Sequence, residues 1–125
     1  MTVICHDQAR RTETPNAVMT TLASPTVGGA GRSLWRVEMS PGVAGPSHRF
    51  DVEQIWTALG GAATVELDGD RHALVPGDTI VIAPGLPRRV IADQTEGFSA
   101  IVTAAPEARA AMLDGTDRGV PAWIA

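Results

Sequence analysis

The chain has no lysine and no tyrosine, a single cysteine and three histidines in 125 residues. Each shortage removes a class of chemistry. Without lysine there is no amine for a Schiff base, and all ten basic residues are arginines, whose guanidinium stays charged. The absence of both residue types fits a GC-rich genome rather than a mechanism. One thiol, Cys5, cannot form an internal disulfide, so no oxidising compartment is implied. A net charge of −4 and a pI near 5.2 give no basic footprint for nucleic acid or an anionic membrane. No stretch is long and apolar enough to span a bilayer, and MTVICHDQARR lacks the apolar run of a secretory signal. A cytoplasmic location is therefore expected.

Punctuation is what the chain has in quantity: 13 glycines and nine prolines separate short β-prone runs. The length suits one domain, residues 1–125, with a core that needs no staples. Strands are expected at Ala17–Ala23, Ser33–Met39, Gln54–Leu59, Ala62–Leu67, Thr79–Ala83, Arg88–Ala92 and Gly97–Thr103. WTALGGAATVEL predicts a hairpin about Gly60-Gly61, and AATVELDGDRHALV a second one turning at Asp68-Gly69. Many short strands at near-regular spacing indicate an all-β sandwich or small barrel. One short C-terminal helix is expected at PEARAAMLD, with Pro106 in its first turn and Gly115 ending it. Trp123 and Ile124, in the tail DRGVPAWIA, are expected to dock on the barrel or on a partner subunit.

Two spaced groups of residues lie between 42 and 92. In the first, Gly42 is followed after five residues by His48, then by Phe50, Gln54 and Gly61. In the second, Gly77 is followed after five residues by Ala83, then by Gly85, Arg88 and Ala92, with Pro84 and Pro87 in the loop. This pattern resembles the two motifs of the cupins. The resemblance implies a double-stranded β-helix, a small jelly-roll barrel with a pocket in its mouth. It also implies a homodimer, expected around the Ala17–Ala23 strand because a bare edge strand is a liability.

Cupins hold a divalent metal with two histidines and a glutamate from the first motif and a histidine from the second. Here His48 remains, and the other positions read Phe50, Gln54 and Arg88. The Gln54 carbonyl is a conceivable ligand, and some similar cupins use glutamine there. Phe50 has no donor atom, and Arg88 is a fixed cation with no acceptor. A first-row metal needs three or four N, O or S donors in one shell, so neither a metal nor another cofactor is expected. Glu53 points away from a pocket that Gln54 faces, by strand alternation. His72 and His6 read as surface histidines.

The replacement residues describe a mixed pocket. Alternation from Gln54 puts Trp56 and Ala58 on the same face. Arg88 is then the anchor for a carboxylate or phosphate, while Trp56 and Phe50 pack against an apolar part. In RSLWRVEM, Arg36 and Glu38 share a face; Arg36 is a candidate ligand contact if that face is the pocket's, and part of an ordinary surface if not. His48 suits a general acid/base, or is a wall residue left after the ligands changed. Arg88 is an anchor or a rim residue beside Arg89, and Trp56 a platform or plain core.

Three functions stay open. One is a metal-independent enzyme (an isomerase, dehydratase or cyclase) acting on a small anionic metabolite with His48 as acid/base. Another is a non-catalytic binding or structural cupin. The third is a metal enzyme with an unorthodox ligand shell. No nucleic-acid or membrane partner is expected.

Overall fold

A computed structural model describes residues 2–125. Its strands are β1 (Arg10–Glu13), β2 (Val18–Ala23), β3 (Ser33–Met39), β4 (His48–Phe50), β5 (Gln54–Gly61) and β6 (Ala63–Leu67). They continue with β7 (Asp70–Leu74), β8 (Thr79–Ile82), β9 (Arg88–Ala92), β10 (Phe98–Ala104), β11 (Ala110–Met112) and β12 (Asp117–Gly119). Two six-stranded antiparallel sheets result, ordered β1-β2-β3-β10-β5-β8 and β12-β11-β4-β9-β6-β7. Residues of alternate parity on both sheets bury against each other, among them Trp35, Val37, Trp56, Val65, Val90 and Val102. The period-2 pattern of β3, β5, β9 and β10 is the cause: inward residues are buried and outward ones are not.

The seven strands expected from sequence all form, with ends shifted by a residue or two. The Asp68-Gly69 turn closes the β6–β7 hairpin, pairing Leu67 with Asp70. Both turn residues have positive φ (48° and 91°), as a two-residue type I′ turn requires.

Two expectations are corrected. Gly60-Gly61 is not a hairpin turn, because β5 lies in the first sheet and β6 in the second; the glycines carry the chain across the core. A Cβ on Gly61 would stand 2.0 Å from the Gly97 carbonyl oxygen, so this crossing has no room for a side chain. The C-terminal helix is absent as well. Residues 106–114 form a turn and then β11, which pairs with β4 in the register Ala110↔Phe50 and Met112↔His48. Asp51 fixes the approach: its Oδ1 accepts the Arg109 N–H at 2.8 Å, and its own N–H donates to the Arg109 carbonyl at 3.1 Å. Ala108 and Ala110 go inward while Glu107 and Arg109 stay exposed. Pairing to an available strand thus overrides the helix propensity of the alanines.

The Ala17–Ala23 segment is not a bare edge, since β1 covers it in the register Arg10↔Thr21 to Glu13↔Val18. The tail docks on its own barrel. Ile124 is fully buried, Thr21 Oγ1 donates to the Trp123 carbonyl at 2.6 Å, and Ser33 Oγ donates to the Ile124 carbonyl. No helix among the described residues is long and apolar enough to cross a membrane.

Candidate functional site

β4, β5 and β9 aim their inward residues into one cavity of about 630 Å³. His48, Phe50, Gln54, Trp56 and Arg88 all line it. Strand register explains the grouping. His48 is the direct antiparallel partner of Arg88, which brings their Cβ atoms to about 5 Å. Gln54 and Trp56 are two residues apart on one face of β5.

Arg88 is 4% exposed and Gln54 1%. The Arg88 Nη2 donates to Gln54 Oε1 at 2.7 Å, and Trp56 Nε1 donates to the same oxygen at 3.1 Å. Two donors converging on one atom fix the orientation of the amide, because a flipped amide would set N–H against N–H. Gln54 Nε2 and Arg88 Nε are left buried with no partner among the described residues. Nη1, the third nitrogen of Arg88, has no hydrogen bond among the described residues and keeps some exposed surface, and Arg88 lines the cavity. The guanidinium lies over Phe50, 4.5 Å from the ring centroid, a cation–π contact strengthened by burial. Burial draws the Arg88 pKa down to about 9, which still leaves it charged at neutral pH.

His48 is half-buried and packs edge-on against Phe50, with centroids 5.3 Å apart. Its Nδ1 lies 2.9 Å from the Pro46 carbonyl, which can only accept, so Nδ1 carries the proton and Nε2 is an acceptor in the neutral ring. Burial lowers its pKa below the ordinary 6.5, the Arg88 charge lowers it further, and the Pro46 contact opposes both. At neutral pH the imidazole is a neutral base.

Among the described residues, no aspartate or glutamate lines the cavity; its charged side chains are Arg88 and Arg118. Its remaining wall is mostly apolar, including Trp35, Met19, Met39, Met112 and Trp123. Arg36 is not part of it. It lies exposed with Glu38 on the outer face of β3, because Trp35, Val37 and Met39 take the inward positions. Glu53, His72 and His6 are also exposed. Sequence reasoning missed Arg118, Met112 and the 14–17 turn at the rim. Met112 follows from β11, which occupies a segment read as helical, and Arg118 from β12, which lies in the tail DRGVPAWIA; the tail's aromatic residue was the one available signal.

Two comparisons with known proteins bear on this architecture. A family model described as "Cupin domain" matches residues 35–104, more than half of the chain. The chain belongs to the cupin family. Among solved structures, this cupin is similar to the polyketide cyclase RemF from Streptomyces resistomycificus, at 22% identity and a TM-score of 0.74, covering 86% of this chain and 81% of that one. It is similar to the DMSP lyase DddQ from Ruegeria pomeroyi, at 20% identity and a TM-score of 0.73, covering 86% and 62%. KdgF from Halomonas sp. matches at 21% identity and a TM-score of 0.70, covering 84% and 94%. These likenesses establish the all-β fold. A search of curated protein sequences finds no match.

The residues at the family's metal positions do not fit a divalent cation. Phe50 supplies no donor, Arg88 repels a cation, and Gln54 Oε1 already accepts from Arg88 and Trp56. Nδ1 of His48 faces Pro46, so Nε2 is the one imidazole nitrogen on offer. No group of three His, Cys, Asp or Glu side chains placed to hold a metal occurs among the described residues.

Proposed function

We propose that this cupin binds a small organic anion in the barrel mouth without a metal, and that His48 exchanges a proton with it as general acid/base. The observation that carries the reading is Arg88: a buried guanidinium, held by a neutral amide, in a cavity without a carboxylate among its described residues. A buried cation is costly unless something balances it, and an anionic ligand on Nη1 supplies that balance with a charge-assisted hydrogen bond.

The chemistry follows from the two groups facing each other across β4 and β9. Arg88 holds the carbonyl or carboxylate oxygen, and Phe50 and Trp56 flank the apolar part. Neutral His48 takes a proton through Nε2 from the carbon next to the carbonyl. The electron pair moves onto the oxygen held at Arg88, and the imidazolium returns the proton. Return to a different carbon isomerises the ligand, return to a leaving hydroxyl dehydrates it, and attack of the enolate on an internal carbonyl closes a ring. A cyclase and a lyase share this fold, which supports the class of chemistry and no particular substrate.

Phenylpyruvate, an apolar keto acid with exchangeable protons, tests the proposal. Calorimetry should show binding that Arg88→Met weakens by about 1.5–3 kcal/mol. NMR in D2O should show benzylic proton exchange faster than in buffer, and His48→Gln should abolish that acceleration. Absence of binding by any apolar carboxylate would remove the proposal.

One observation favours a second reading, a non-catalytic binding protein. His48 is oriented by a backbone carbonyl and not by a carboxylate, so nothing acidic stabilises its protonated form. Binding without accelerated exchange would decide for that reading. A homodimer belongs to the same proposal, paired through the outer face of the first sheet, where Leu22, Leu34, Ile55 and Ile101 are half-buried and Val81 is exposed.

A further inference from the structure

The polar atoms of the cavity are few and mostly donors. Gln54 Oε1 and Trp56 Nε1 are spent on each other, and Gln54 Nε2 and Arg88 Nε are shut away. Nη1 of Arg88 and Nε2 of His48 are the unspent polar atoms of the inner charged and amide groups. Apart from methionine sulfurs, the side-chain acceptors left over in the lining are His48 Nε2 and the Asn16 amide oxygen. A ligand rich in hydroxyl groups would find few side-chain acceptors here, and each unmade hydrogen bond carries a desolvation penalty. The walls instead suit flat apolar bodies: indoles from Trp35 and Trp123, with Met19, Met39 and Met112 as deformable filler.

Arg118 supplies the other constraint. It lies on β12, exposed, and is part of the cavity lining. Of its nearby carboxylates, Asp117 pairs with Arg109 at 2.6 Å and accepts the Gly119 N–H at 2.7 Å; Asp114 accepts the Thr116 N–H at 2.9 Å and feels the Arg118 charge without forming an ion pair with it. Arg118 itself forms no ion pair among the described residues.

On the reading that Arg88 holds an anion, we infer that the ligand is a largely apolar, little-hydroxylated molecule with a second negative group that meets Arg118. Volume permits it, since 630 Å³ falls within the usual range for ligand cavities. Arg118 is then the residue that selects two-headed anions over one-headed ones.

Calorimetry with 2-naphthoate, naphthalene-2,6-dicarboxylate and gluconate separates the parts of the claim. The dicarboxylate should bind about 3- to 5-fold tighter than naphthoate, the margin of an exposed ion pair, and raised salt should shrink that margin. In Arg118→Ala the two affinities should converge, and Arg118→Lys should restore part of the difference. Gluconate should bind at least about 10-fold more weakly than naphthoate. If gluconate equals naphthoate, the apolar-body inference fails. If the dicarboxylate has no advantage, or keeps it in Arg118→Ala, the rim anchor fails while the anion site stands. If neither naphthalene acid binds, the anion reading itself fails, and this inference with it.

Discussion

Gln54 takes the Arg88 hydrogen bond on Oε1 at 2.7 Å, so a buried cation is positioned by a neutral partner. An acidic residue in the same place would satisfy the same donors and cancel the charge. Gln54→Glu should therefore keep the geometry, including the Trp56 N–H contact, and lose the cavity's positive field. We expect apolar carboxylates to bind more weakly by about 1.5–3 kcal/mol, the scale of a charge-assisted contact. The variant's melting temperature should stay at or above the wild-type value, because the new carboxylate finds a partner and the orphaned Nε2 is gone. A variant that is equally stable and binds just as tightly would show that the Arg88 charge does not drive binding.

The lowered His48 pKa predicts a direction for pH dependence. Its folded pKa lies below the unfolded value near 6.5, so between the two the unfolded chain binds more protons and stability rises with pH. The contribution is complete above 6.5 and is lost as pH falls from there through the folded pKa. Denaturant titrations from pH 7.5 down to 5 should show this slope in wild type and a shallower one in His48→Gln. Any turnover should carry an acid limb with its midpoint below 6.5, since the base form is required. A limb above 6.5 would assign the base elsewhere.

Much of this site was legible because alternation is a rigid rule once one residue is placed. Gln54 set the facing of Trp56 and Ala58, and motif spacing set His48, Phe50 and Arg88. Arg36 was ambiguous for the converse reason: either face of RSLWRVEM has a plausible pattern, and only the neighbouring β2 and β10 decide between them. The alanine-rich 106–112 segment favours a helix locally, and its strand exists because β4 offers a free edge. Sequence did not reveal that Gln54 Oε1 is already spent, because that depends on a contact spanning 34 residues.

The docked tail should matter to both stability and binding. Ile124 is fully buried, and Trp123 beside it walls the cavity. Ile124→Ala should cost about 2–5 kcal/mol by urea denaturation, the usual range for emptying a buried aliphatic site. Because Trp123 is held through its carbonyl by Thr21 Oγ1, Thr21→Val should loosen that wall and weaken ligand binding with a smaller loss of stability. Unchanged stability in Ile124→Ala would mean that the tail contributes no packing energy.

Association is expected through a sheet face and not through a strand edge. One of the two edge strands of the first sheet, β1, presents Arg10, Arg11 and Glu13, a charged edge that discourages strand addition; the other edge is the four-residue β8. Light scattering at micromolar concentration should give twice the 13.1 kDa chain mass. Ile101→Glu, on the outer face of β10, should reduce it to one copy. A monomeric wild type would remove the dimer proposal.

The metal positions allow the most direct test of how this cupin departs from its family. His48, Phe50, Gln54 and Arg88 converge on one cavity, so ligand chemistry has changed while the placement of the strands is kept. Phe50→His together with Arg88→His should supply three imidazoles near the Gln54 carbonyl, a donor set suited to Ni, Zn or Fe. Removing Arg88 also removes one of the two hydrogen bonds on Gln54 Oε1, leaving the Trp56 contact at 3.1 Å as the competitor for that oxygen. A ligand that binds only the native state raises the melting temperature. Excess divalent salt should therefore raise it in the double variant and leave the wild type unmoved, with elemental analysis reporting stoichiometric metal in the variant alone. Adding Trp56→Phe should tighten the variant's site by freeing the oxygen completely. Tightly held stoichiometric metal in the wild type would overturn the metal-independent reading, whereas a variant that folds but binds nothing would show that the side-chain directions have been lost together with the donors.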